Sequence, residues 1–96
     1  ESTYETYLGY ELADRGIPHV RQASVALEYK GRPAGEGRMD LLVDNRLKVE
    51  LKTVETLAPI HTAQAISYLK ETGLSLALLI NFHEALLRDG IKRVAL

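Results

Sequence analysis

Asp40, Glu50 and Lys52 are the residues of this chain whose types and spacing could do chemistry. They stand in "RMDLLVDNRLKVELKT", residues 38–53, as an acid before an apolar run and then, after nine intervening residues, a Glu-x-Lys. Two carboxylates a hydrogen-bond length apart, joined by a backbone carbonyl such as that of Leu51, would suit a hard Mg²⁺ or Mn²⁺ ion with oxygen ligands at about 2.0–2.1 Å. Such an ion polarises phosphate and acidifies water. Lys52 would then hold the attacking water or offset charge on the transition state, and the reaction would be hydrolysis of a phosphodiester. The competing reading is plainer: Arg46, Lys48, Glu50 and Lys52 alternate with aliphatic residues, as on the solvated face of an ordinary hairpin.

The elements that must position these residues follow from periodicity and punctuation. Tyr4, Leu8 and Leu12 lie on one helical stripe in residues 1–15, which Gly16 and Pro18 end. Val25, Leu27 and Tyr29 alternate with polar and small residues in a first strand, His19 to Tyr29. "KGRPAGEGR", residues 30–38, holds three Gly and a Pro and reads as a loop. Two strands come next, with Asp44-Asn45 at their turn. Pro59 can sit in the first turn of a helix that Gly73 stops, with Ala63, Ile66 and Leu69 on its apolar side. "LSLALLINF" is a nearly continuous apolar run, expected for a central strand covered on both faces, and "IKRVAL" is a last strand after a turn at residues 88–90. The expected fold class is α/β, ordered α-β-β-β-α-β-β, with a mixed central sheet flanked by helices.

Register decides whether the acids meet. A two-residue loop at Asp44-Asn45 would set Val43 beside Arg46 and Leu41 beside Lys48, placing each apolar row against a charged one. An odd loop, or a bulge of one residue, pairs Val43 with Leu47, Leu41 with Val49 and Met39 with Leu51, and gathers six apolar side chains on one face. That register sets Asp40 across from Glu50, with Lys52 beside them. Opposed carboxylates repel, and a cation between them would remove the cost.

Composition bounds the rest. Ninety-six residues make one small domain, 1–96. A formal charge of -1 argues against a generic polyanion binder coated in Lys and Arg. The absence of Cys excludes disulfides, thiolate metal sites and cysteine nucleophiles, and fits a reducing compartment, so cytoplasm is the expected location. The longest apolar run is far below the roughly 20 residues that span a bilayer, and no signal-type segment opens the chain, so no membrane partner is expected.

Asp40 with Glu50-Leu51-Lys52 resembles the split D…(D/E)-x-K signature of the PD-(D/E)xK nuclease superfamily, and the element order, with the acid on the second strand and E-x-K on the third, resembles its restriction-endonuclease-like core. Over essentially all 96 residues the chain is also similar to the GxxExxY protein family. Glu1-Ser-Thr-Tyr4 resembles the ExxY half of that motif; "YKGRPAGEGRMDLLVDN", "HTAQAISYLKETG" and "LLINF" resemble its later parts. The motif's Gly is absent because the chain starts at the Glu, so the domain is expected to lack the family's N-terminal segment. The resemblance implies Asp40 and Glu50 as ligands of Mg²⁺ or Mn²⁺ and Lys52 as the catalytic lysine. Gln64 and Tyr68 match a Q-x-x-x-Y element on the helix after the E-x-K strand, and Glu1 matches an acid of the first helix that faces the metal.

Gln64 and Tyr68 are i, i+4 neighbours with His61 on the same side; a Gln amide can hold water or phosphate, and Tyr can stack on a base or contact phosphate. Arg38, with Lys30 and Arg32, frames the glycine segment and could touch phosphates, as could Arg88, Lys92 and Arg93. His19, His61 and His83 are scattered without zinc spacing, and Glu5, Glu11 and Asp14 read as the polar face of the first helix. The expected function is a metal-dependent nuclease acting on nucleic acid, DNA being the expected substrate, with a homodimer by analogy. Two rivals stand beside it: a catalytically inactive nuclease-fold domain serving as a nucleic-acid-binding or assembly module, and a fold whose Asp40 and Glu50 simply face water.

Overall fold

The computed structural model describes residues 2–96. Helix α1, Ser2–Asp14, is followed by strands β1, His19–Tyr29, β2, Arg32–Val43, and β3, Leu47–Lys52; helix α2, Pro59–Thr72, leads to β4, Leu76–Asn81, and a 3-10 turn at Leu87–Gly90 precedes β5, Ile91–Ala95. This is the expected α/β order, two helices and a five-stranded mixed sheet consistent with a restriction-endonuclease-like fold. The strands lie side by side in chain order. All neighbours run antiparallel except β3 and β4, which are parallel because α2 carries the chain back between them.

The helices cover opposite faces. Leu8 and Leu12, one turn apart on α1, pack on Leu41, Val49, Leu51 and Ile80 with Val43, Leu47 and Leu78 around them. Ala65 and Leu69 of α2 close on Ala77, Leu79 and Val94. β4 therefore buries Ala77 and Leu79 on one side and turns Leu78 and Ile80 to the other, which is why its sequence shows no polar alternation. α2 starts at Pro59, whose missing N–H costs nothing there, and stops at Gly73, left-handed at φ 76°, with its N–H on the Leu69 carbonyl at 3.0 Å. No helix among the described residues is long and apolar enough to cross a membrane.

One expectation fails in the segment 30–38. Only Lys30 and Gly31 turn the chain, with φ of 52° and 78°, the two positive values that a type I′ hairpin turn requires; Tyr29 then faces Arg32, and the rest is strand. Gly and Pro hide the alternation that marks a strand, yet pairing with β1 supplies the backbone bonds. Pro33 is tolerated because β2 pairs with β3 only from Leu41 onward, leaving its far half one-sided. A register shift between Ala26 and Glu28 absorbs one residue of this arm.

At the other end of β2 the odd register is observed. Val43 pairs with Leu47, Leu42 with Lys48 and Leu41 with Val49. Asp44 and Asn45 turn with φ of 53° and 57°, Arg46 donates its N–H to the Val43 carbonyl at 3.1 Å, and Arg46 is left over as the extra residue.

Candidate metal and phosphodiester site

The β2–β3 ladder runs from the turn as far as Leu41 and Val49, and there it stops. In place of a main-chain partner, the Asp40 carboxylate bends across and accepts the Leu51 N–H through Oδ2 at 2.8 Å. The break continues into β1. Arg21 pairs with Leu41 and Ala23 with Met39, but Gln22, which belongs opposite Asp40, is unpaired and held at φ 51°, a left-handed conformation rare for a residue with a Cβ. Glu5 of α1 fastens this point: Gln22 Nε2 donates to its Oε1 at 2.6 Å and Arg21 Nε to its Oε2 at 2.8 Å. Glu5 is thus 6% exposed and ion-paired, and does not lie on a polar helix face.

Beyond the break the strand has turned over. A Cβ added at Gly37 would collide with the Tyr68 hydroxyl on α2, whereas Leu41, four residues on, packs with α1. In a regular strand those two positions share a face. The expectation of six apolar residues on one face is therefore corrected. Leu41, Val43, Leu47, Val49 and Leu51 gather as expected; Met39 is fully buried but outside that cluster.

Lys48, Glu50 and Lys52 project from β3 under α2 and, with His61, Gln64, Ala65, Tyr68 and Leu79, line a cleft of about 210 Å³. Lys48 is only 3% exposed. Its Nζ lies 3.7 Å from Glu50 Oε2 and 4.5 Å from the centre of the Tyr68 ring, a cation–π contact. The Glu50 side chain keeps 24% of its surface, yet Oε1 is buried with no hydrogen-bond partner among the described residues, as is the Tyr68 hydroxyl. Burial raises the Glu50 carboxyl above its ordinary range, more than Lys48 lowers it, and Asp40 adds to the rise. Burial likewise lowers the Lys48 ammonium, against the opposing pull of Glu50 and Asp40. Tyr68 is raised by burial and then by the Glu50 and Glu71 charges.

His61 does local work. Its Nδ1 accepts the Ala58 N–H at 2.8 Å and its own N–H returns to the Ala58 carbonyl at 2.9 Å, so it caps α2 and keeps Nε2 toward the cleft as the protonated nitrogen. Gln64 stands exposed at the rim, one turn from Tyr68. At the far end of β3, Asn81 is fully buried and clasps Val54, accepting its N–H at 3.1 Å and donating to its carbonyl at 2.8 Å; the Phe82 N–H bonds the Lys52 carbonyl at 2.9 Å. These bonds fix the backbone on which Lys52 stands.

The structure brings Glu50, Lys52, Gln64 and Tyr68 to one cleft and sets Asp40 beside it, close enough to act on the charges of Glu50 and Lys48. Arg38 is exposed on β2 and does not line the cleft, and Glu1 lies outside the described residues. Among the described residues no three His, Asp or Glu side chains converge as a ready metal cage. The donor set is instead two carboxylates: Asp40 Oδ2 accepts the Leu51 N–H, and Glu50 Oε2 is ion-paired with Lys48 at 3.7 Å. Each leaves a second oxygen, and the buried orphan Oε1 of Glu50 fits a hard cation. Lys48 was missed in the sequence. The sequence places it two residues before Glu50 on the same strand face, but its burial depends on α2 and has no local signal.

The family model of the PD-(D/E)XK nuclease superfamily matches residues 1–94. No curated protein and no solved structure matches the chain.

Proposed function

Because the chain belongs to the PD-(D/E)XK nuclease superfamily, we propose that it is a Mg²⁺- or Mn²⁺-dependent nuclease that hydrolyses nucleic-acid phosphodiesters, with DNA as substrate. The observation that carries this reading is the orphaned Glu50 Oε1, buried beside an Asp40 whose carboxylate is fixed by the Leu51 N–H. Asp40 and Glu50 would hold the ion through their other oxygens, with the Leu51 carbonyl as a further oxygen; Glu1, outside the described residues, is the further acid of this reading. The bound ion supplies a polarised phosphate and a water acidified toward hydroxide.

The chain's own residues do the rest. Lys52, half-buried at the edge of the cleft, donates to the attacking water and offsets charge that grows on the phosphoryl oxygens. Gln64 at the rim presents an amide to water or phosphate, and Tyr68 sets the cleft wall. Arg38, pointing to solvent outside the cleft, is suited to a flanking phosphate. The narrower kinship with GxxExxY proteins belongs to the same proposal; Tyr4 of that motif stacks on Phe82 with ring centres 4.3 Å apart. A cytoplasmic homodimer completes it.

The test is cleavage of single- and double-stranded DNA and RNA by the purified chain with Mn²⁺, beside Asp40→Ala and Lys52→Ala. Loss of about a hundredfold or more in both variants is expected, as for removal of a group that stabilises transition-state charge. A wild-type chain that cuts none of the four substrates and binds no Mn²⁺ by calorimetry overturns the nuclease reading. If that inert chain still binds nucleic acid, the binding-module reading replaces it.

A further inference from the structure

We propose that Lys48 is a positioning residue that occupies one oxygen of Glu50, restricts the site to a single divalent ion and weakens its hold on that ion. The inference rests on the metal reading above and goes past it, because the D…E-x-K pattern assigns Lys48 no part.

The geometry leaves Lys48 little freedom. It is 3% exposed, its Nζ is 3.7 Å from Glu50 Oε2, and the Tyr68 ring backs it at 4.5 Å. A surface lysine released by an arriving ion can swing into water at almost no cost, but this ammonium is enclosed between β3 and α2. An ion that approaches Glu50 therefore meets a fixed like charge, and the repulsion is not screened by bulk water. Lys52 is half-buried beside the cleft and adds a second ammonium, so the two carboxylates already have two cations near them.

The same contacts fix the number of ions. A carboxylate that bridges two metals side by side turns one oxygen to each. Asp40 Oδ2 already accepts the Leu51 N–H, and an ion at Glu50 Oε2 would sit against the Lys48 ammonium, 3.7 Å from that oxygen. One oxygen from each remains, enough for one shared ion. A lysine present only to fill space would have the opposite signature on removal: a loosened Glu50 and weaker metal binding.

That difference in sign is the test. Mn²⁺ alone is titrated by calorimetry into the whole chain at one near-neutral pH, for wild type, Lys48→Gln, Lys48→Met and Lys48→Arg, with thermal melts to show that each is folded. Wild type is expected to bind one ion. Lys48→Met, and Lys48→Gln, which keeps an amide donor for Glu50 should the apolar variant fail to fold, are expected to bind about tenfold more tightly or better, the effect of removing a unit charge a few ångströms from a divalent ion. Lys48→Arg keeps the charge and is expected to bind as wild type does. Two ions in wild type, or equal or weaker binding by a folded neutral variant while wild type binds one, overturns this inference and leaves the nuclease reading in place. If neither wild type nor the neutral variants bind Mn²⁺, both fall together.

Discussion

Replacing Lys48 and Glu50 together, as Lys48→Met with Glu50→Leu, is expected to stabilise the fold while destroying the site. Both side chains lie under α2, Lys48 at 3% exposure and Glu50 at 24%. Their contact is 3.7 Å, longer than the 2.8 Å bond between Arg21 and Glu5, and Glu50 Oε1 has no donor among the described residues. In both groups burial outweighs the attraction of the partner, so each charge is held in the fold at a cost. Exchanging a buried ion pair for apolar residues of similar volume is commonly neutral to about 4 kcal/mol stabilising. Because Glu50 keeps a quarter of its surface, the lower half of that range applies, about 1–2 kcal/mol, which for a domain of this size raises Tm by about 4–8 °C per kcal/mol. Urea and thermal unfolding followed by far-ultraviolet circular dichroism measure it. Glu50→Leu alone must behave oppositely and destabilise, since it leaves the Lys48 ammonium buried against Tyr68 without its counter-charge. A double variant less stable than wild type, or a single variant as stable as the double, would show that the pair is a net structural asset and refute the reasoning.

Three further outcomes follow from the same geometry. Glu50 sits above its ordinary value of 4.5, so its neutral form is favoured by folding; its contribution is fully present below the unfolded value and is lost as pH rises through the folded one. Wild type should therefore gain on Glu50→Gln as pH falls from neutral toward that value, measured as urea midpoints, and a change in the other direction refutes the assignment. Gly37→Ala forces a Cβ into the Tyr68 hydroxyl and to 2.9 Å from its Cζ, and should cost about 1–3 kcal/mol; Tyr68→Phe, itself neutral or slightly stabilising because that hydroxyl has no hydrogen-bond partner among the described residues, should recover part of the loss in a double-mutant cycle. Asp40→Asn keeps a carbonyl oxygen for the Leu51 N–H and should unfold within about 1 kcal/mol of wild type, whereas Asp40→Ala strands that amide and should lose about 1–3 kcal/mol, with Mn²⁺ affinity falling in both.

Much of this arrangement was legible in the sequence because two physical demands agreed. The aliphatic rows of β2 and β3 could share a face only in an odd register, and the Asp44-Asn45 turn with Arg46 as the extra residue supplies it. α1, α2 and β4 were readable because Leu8 and Leu12, Pro59 and Gly73, and the apolar run into Phe82 carry strong local signals. The failures share a cause of another kind. Residues 32–38 are strand because β1 lies alongside, a tertiary fact that Gly and Pro conceal. Glu5 looked like a solvated acid because nothing local reveals that Arg21 and Gln22 meet it across the α1–β1 turn. Lys48 read as one of four alternating charges, and only the placement of α2 separates a buried ammonium from an exposed Arg46.

Asp40 and Glu50 are neighbours for a reason that register alone does not supply. An odd register continued as a regular ladder would set Asp40 directly across from Glu50, yet the ladder ends one pair short of them. Had it continued, a main-chain acceptor would have served the Leu51 N–H, and Gly37 would share the α1 face with Leu41. Instead the Asp40 carboxylate serves that amide, Gln22 takes up the left-handed turn opposite, and Glu5 locks the distortion from α1. β2 thereby leaves β3 where Glu50 and Lys52 begin, turns over, and brings Gly37 to Tyr68 as one wall beside the cleft. The same break that removes a backbone hydrogen bond thus fixes the first acid of the site and brings the β1–β2 arm against α2. A strained Gln22 held by a buried Glu5 belongs to the site as much as the acids do, because a β2 that relaxed into regular pairing would free the Asp40 carboxylate and draw Gly37 away from Tyr68.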